Sequence, residues 1–250
     1  MNAMKKPSFL PCLALISGTA AFGLRKCLYA FAVDQRGLLI SGHPLSFALW
    51  AVVAAAAAFL LWQVRKPEGS NTYETAFAPS RLSAGACAVL AGSLLVTVLN
   101  HTPALGNVAT LWKVLGFLSA PAVMWAGICR SKGRKPFFGV HGLLCLFLLI
   151  HMVSRYQVWS SNPQLQDYIF ELLAAVALTL FSYHSAAFEA DMGSRRMYLA
   201  TGLLAVLLCA AALSGTGTPG LYLGGLVWAF ADLCTLTPPP KDEVTAHDPA

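Results

Sequence analysis

The chain has 250 residues; 57% are apolar (AVILMFWYC), 11% carry charge (DEKR), the formal net charge is +6 and the mean hydropathy is +0.62. A soluble domain is about 45–50% apolar and about 25% charged, so too few charges remain here to cover a water-facing surface. Disordered, fibrous, nucleic-acid-binding and disulfide-stapled secreted classes are excluded, which leaves an all-α integral membrane protein.

Residues 1–22 imitate a signal peptide. Lys5 and Lys6 form a basic start, residues 9–16 a short apolar core, and Thr19-Ala20-Ala21 a small-residue site. Apolar character continues through Phe22-Gly23-Leu24 and resumes at 27–33, which favours a retained first helix. A run of about 20 residues crosses the roughly 30 Å hydrocarbon layer. Eight runs qualify: 9–32, 44–64, 81–100, 107–129, 137–156, 163–188, 197–214 and 220–236, the last being the shortest. The expected fold is therefore an eight-transmembrane-helix bundle.

Between the first two runs, Asp34-Gln35-Arg36-Gly37 is a turn signature flanked by β-prone stretches at 29–33 and 38–40. A small extracytoplasmic hairpin is expected over 29–44. Pro44 and Pro163 open helices at the first position, where a missing N–H is harmless, and Asn162 is a good N-cap. Residues 65–80 form the longest polar connection. Pro238-Pro239-Pro240 ends the last run. The polytopic domain is thus read as 1–238 and a disordered cytoplasmic tail as 239–250.

Lys and Arg orient the chain. With the N-terminus inside, twelve of the 17 fall on the cytoplasmic side, among them Lys5, Lys6, Arg65, Arg81, Arg130, Lys135 and Arg195. Five fall outside: Arg25, Lys26, Arg36, Lys113 and Arg155. Both termini are expected to be cytoplasmic, in a cell membrane of bacterial inner-membrane type. Three spacings hint at two parallel four-helix repeats with halves 1–130 and 137–238. Pro44 and Pro163 are 119 apart, Arg81 and Arg196 are 115 apart, and Trp112 and Trp228 are 116 apart. Hydrophobic helices with basic ends resemble one another without duplication, and that accounts for the same spacings.

Chemical motifs are absent: no HExxH, GxSxG, phosphate-binding glycine loop or paired-acid metal pattern occurs. No catalytic residue, metal or cofactor is therefore expected, and the chain reads more as a non-enzyme. The seven cysteines lie in apolar runs with no CxxC pair and read as buried packing thiols. His141 and His184 fall at similar depth on adjacent runs and are read first as hydrogen-bonding residues of the bundle. Small-residue stripes at Ala14/Gly18, Ala84/Ala88/Gly92 and Thr201/Ala205/Cys209 let helices approach closely. Tyr29, Trp62, Tyr156, Trp159, Tyr168 and Tyr198 sit near run ends as an interfacial belt.

Charges inside or near the outer leaflet are the informative residues, because each costs several kcal/mol unless paired or wetted. Arg25, Lys26, Lys113, Arg155, Asp167 and Glu171 fall at one depth. Asp167 and Glu171 share a helix face. Arg155 and Glu171 are expected to pair, leaving Arg25 and Lys113 toward a small anionic solute or lipid head group. Asp232 is a second buried charge, with Arg130 a candidate partner. The functional expectation is a transporter or permease-like protein. The alternatives are an accessory, structural or sensory subunit with a membrane-protein partner and, behind it, a lipid-modifying enzyme. The bilayer is the one certain partner; no nucleic acid is expected.

Overall fold

A computed structural model of the chain describes residues 8–33, 39–40, 42–65, 72–101, 106–137, 139–159, 165–215 and 217–237. Every extended element among them is helical. They are α1 (Phe9–Phe31), α2 (Pro44–Gln63), the single-turn α3 (Tyr73–Ala76), α4 (Arg81–Asn100), α5 (Gly106–Ser131), α6 (Val140–Trp159), α7 (Leu165–Glu189), α8 (Arg195–Ala212) and α9 (Pro219–Cys234). Six of these, α2 and α4 to α8, are long and apolar enough to cross a membrane. The chain is thus a membrane-type helical protein. α9 has 16 residues, and α1 carries Arg25 and Lys26 in its second half.

Local signals explain the boundaries. Pro44 stands at the first position of α2, and the His43 ring nitrogen accepts the Leu45 amide as its cap. Ser80 caps α4 by accepting the Ser83 amide at 3.2 Å. α6 begins at Val140 rather than 137 because Gly139 has φ of +93°, which ends helical continuity. α1 runs to Phe31, so the β-prone reading of 29–31 gives way to helix. The hairpin narrows to an isolated antiparallel bridge between Val33 and Leu39, with the Ile40 amide donating to the Ala32 carbonyl at 2.8 Å. Its turn, the basic residues Lys5 and Lys6, and the tail 239–250 lie outside the described residues.

Helices α4 to α9 form a closed ring. Each packs on the next in chain order, and α9 returns against α4. α1 lies along α8 outside the ring, and α2 packs on α1 and α8. α8 is consequently the most buried helix, α2 the least. The two sequence halves do not pack alike: α7 and α8 are close neighbours, whereas α2 packs on α8 rather than along α4.

Close approaches fall where small residues stand. A Cβ added to Gly18 would lie 2.6 Å from Ala210 Cβ and 2.8 Å from the Leu207 carbonyl, so α1 meets α8 backbone to backbone. Ala14 of α1 and Thr201, Ala205 and Cys209 of α8 are buried as well. The α4 stripe differs. Gly92 has open space beside it, and the buried face is Ser83, Cys87, Leu90 and Leu94.

Candidate functional site

Helices α1, α4, α6 and α8 begin at one end of the bundle, where α5, α7 and α9 finish. This near end holds a buried polar cluster, and the far end holds a second one.

At the near end, Arg130 in the last turn of α5 is 5% exposed and Asp232 near the end of α9 is 7% exposed. Their Nη2 and Oδ1 atoms are 4.0 Å apart. Asp232 has two further donors. The Ser83 hydroxyl from α4 donates to Oδ1, and the Tyr198 hydroxyl from α8 donates to Oδ2 at 3.2 Å. Arg130 also donates to the Thr235 hydroxyl at 3.4 Å and lies 3.9 Å above the Phe77 ring. A buried ion pair persists when added hydrogen bonds satisfy the remaining lone pairs, and Asp232 meets that condition. Tyr198, expected in an interfacial belt, is fully buried as one of these donors; Tyr168 is likewise buried.

Beside this pair stands a second one. His141, on the first turn of α6, is 8% exposed, and Glu189, the last residue of α7, is 1% exposed. His141 Nδ1 and Glu189 Oε1 are 2.6 Å apart, and the His141 amide donates to Oε2 at 3.3 Å. The imidazole stacks on Trp228 with centroids 5.4 Å apart and planes 11° apart. His141 Nε2 is buried without a hydrogen-bond partner among the described residues. His184 contacts the Tyr183 ring instead. The two histidines share a depth without pairing.

Between these groups lies a cavity of about 20 Å³, lined by Tyr73, Ser83, Cys87, Arg130, His141 and Asp232 among others. Its floor is an aromatic cluster that Phe77 makes with Tyr73, Phe188 and Tyr198, all with centroids 4.9–5.4 Å away. The floor belongs to residues 72–77, inside the connection read from sequence as a polar loop. This strap is pinned from both sides. Phe77 bridges Leu236, and the Thr237 amide donates to the Ala76 carbonyl at 3.2 Å. The Tyr73 amide donates to Asp191 Oδ1 at 3.3 Å, and Lys135 Nζ donates to Asp191 Oδ2. Burial pushes the Tyr73 hydroxyl up to about 12, with Arg130 pulling the other way. Lys135 and the Tyr73 amide hold the exposed Asp191 below the usual aspartate range.

At the far end, Arg155 Nη2 of α6 is 3.6 Å from Glu171 Oε2 of α7, the pairing expected from sequence. Glu171 is 3% exposed, and its Oε1 accepts the Gly217 amide at 3.2 Å. A Cβ at either Gly215 or Gly217 would collide with this carboxylate, so the α8–α9 connection closes directly over it. Arg25 of α1 is 1% exposed. Its guanidinium donates to the Ala211 carbonyl at 3.5 Å and the Tyr29 hydroxyl at 3.3 Å, and stands 5.3 Å from the Phe170 ring centroid. It also lies within electrostatic reach of Glu171. Lys113 is half-buried on α5, which packs on α4 and α6 rather than α7, and no contact with this group involves it among the described residues. The Asp167 side chain lies outside the described residues. Above this layer, His151 is 1% exposed and accepts the Trp112 indole N–H at 3.3 Å.

Sequence reading thus finds the far-end pair and names Arg130 for Asp232. It misses Glu189, the strap and the cavity. Among the described residues no group of three or more His, Cys, Asp or Glu side chains is arranged to hold a metal ion. The chain matches no family model, no curated protein and no solved structure.

Proposed function

We propose that the chain is a permease-like membrane protein of eight spans that moves a small anionic solute past the near-end cavity. One observation carries the reading. Arg130, His141 and Asp232, from three different helices, line one cavity inside the bundle, and Glu189 from a fourth pairs with His141. Ionisable groups are expensive inside a membrane bundle and collect where ions or solutes pass. Arg130 is the cation for the solute, and Asp232 is its counter-ion when the site is empty. The far-end residues Arg25, Arg155 and Glu171 serve as the opposite station. α1, with 23 residues, is about 34 Å long at 1.5 Å per residue and is the first span. α9 is the eighth, its 16 residues shielded by α4 and α8. Both termini lie in the cytoplasm by the distribution of Lys and Arg.

A second reading, an accessory or sensory subunit, draws on the outward face of α2, where Phe47, Phe59 and Trp62 are exposed. Lipid or a partner helix would cover it equally well. Uptake of labelled small carboxylates and of phosphate into proteoliposomes separates the two readings. The permease reading expects uptake of at least one of them above protein-free vesicles, removed by Arg130→Gln. Absence of uptake across the panel, with a stoichiometric membrane protein co-purifying, supports the subunit reading instead.

A further inference from the structure

Building on the permease reading, we propose that His141 is a proton-exchanging site, with Nε2 the atom that gains and loses the proton through a water held in the near-end cavity. Three observations converge on that atom. Glu189 occupies Nδ1 at 2.6 Å and takes the His141 amide with its other oxygen, so the ring is held at two points. With Nδ1 and the Glu189 carboxylate sharing one proton between them, the remaining proton position on the ring is Nε2. That nitrogen is buried, lacks a partner among the described residues, and belongs to a residue lining the cavity. The cavity volume of about 20 Å³ is the size that holds one water, given at least two polar partners. Ser83, Arg130 and Asp232, which line the same cavity, supply them.

The surroundings accommodate either charge state. When Nε2 takes a proton from the cavity water, the imidazolium faces Glu189 through Nδ1 and lies flat on the Trp228 ring, a cation–π arrangement. When the proton returns to water, or to an anionic solute that leaves as its acid, the neutral ring keeps its bond to Glu189. One proton moves in each direction, and no other bond is made or broken. The ionisable groups around His141 come from every element packed there: Glu189 of α7 on its Nδ1 and, lining the cavity, Asp232 from α9, Arg130 from α5, Tyr198 from α8, Cys87 from α4 and Tyr73 from α3. Asp232 is already bound to Arg130, Ser83 and Tyr198, so its charge is committed elsewhere. His151, the other buried histidine, is different. Trp112 donates to its Nδ1 and Thr218 lies 3.5 Å from its Nε2, so both ring nitrogens are occupied.

Solid-state nuclear magnetic resonance of the ¹⁵N-histidine-labelled protein in lipid vesicles tests this. His141 is assigned by the signals lost in His141→Gln, or by those displaced in Glu189→Gln if the first variant does not fold. The expected result is a His141 ring that passes from one protonated nitrogen to two between pH 8 and pH 5. A ring in a single state across that range overturns the proposal. Uptake into the same vesicles, driven by an imposed pH gradient, separates this proposal from the reading beneath it. His141→Gln is expected to slow gradient-driven uptake several-fold, to the rate without a gradient, while leaving solute-for-solute exchange measurable. Unchanged gradient dependence in His141→Gln sinks the proton site and leaves the permease standing. A titrating His141 with no uptake of any solute sinks the permease and leaves the proton site.

Discussion

At the scale of single residues, the ion pairs differ in how far each partner can retreat to water. Glu171 is 3% exposed, but the Arg155 side chain is 25% exposed. Removing one member of a buried pair ordinarily costs about 3–5 kcal/mol. Arg155 can turn outward when its partner goes, so Glu171→Ala is expected to lower stability by about 2 kcal/mol. Chemical denaturation in detergent micelles reads the difference, and a silent Glu171→Ala would show that neither the ion pair nor the Gly217 hydrogen bond holds the α8–α9 connection. Asp191 offers a pH test outside the membrane spans. Its pKa in the folded protein lies below the ordinary 3.8 because Lys135 and the Tyr73 amide favour the carboxylate. Such a group adds stability above the unfolded value and loses it as pH falls through the folded one. Protection of the residue 73–77 amides against hydrogen exchange, relative to their intrinsic rates, should therefore fall below about pH 4, more in the wild type than in Asp191→Asn, which already lacks the charge. Asn also tolerates the left-handed backbone of this position, φ +56°. Equal pH profiles would remove Asp191 as the latch.

At the scale of elements, hydropathy and punctuation made the helices readable. Runs of twenty apolar residues, Pro44, and the basic ends at Arg81 and Arg196 placed eight helices within a few residues. The misses have local causes. Residues 72–77 are too few for a periodicity to show, and Tyr73 and Phe77 look like loop residues until the end of α9 arrives beside them. Glu189 was invisible for a related reason: 48 positions separate it from His141, and the α6–α7 hairpin of helices alone unites them. Sequence gives depth along a helix well but says little about the direction in which each residue faces. The α4 stripe illustrates this, since Gly92 shares its spacing with Ala84 and yet faces outward. Two glycine substitutions test the packing account. Gly18→Ala drives a methyl against the Leu207 carbonyl and Ala210 and should destabilise by about 1–3 kcal/mol. Gly92→Ala meets nothing and should be neutral or stabilising by up to about 1 kcal/mol, since Ala is the better helix former. A thermal shift of the same sign in both variants contradicts the assigned α1–α8 contact.

At the scale of the whole molecule, the ring of α4 to α9 leaves its polar groups at the two ends and fills the middle with apolar and aromatic side chains such as Trp112, Phe147 and Phe181. Composition announced the membrane, and the count of Lys and Arg supplied an orientation. Neither could announce the ring, because closure depends on α9 returning to α4. The near-end cavity follows from that closure: α4 brings Ser83 and Cys87, α9 brings Asp232, and the strap seals the floor. This cavity is proposed to couple a solute to a proton. The initial rate of solute uptake into proteoliposomes, with and without a pH gradient alkaline inside, measures that coupling. The predicted result is a several-fold faster rate with the gradient, an acceleration lost in His141→Gln. Equal rates with and without the gradient would contradict it.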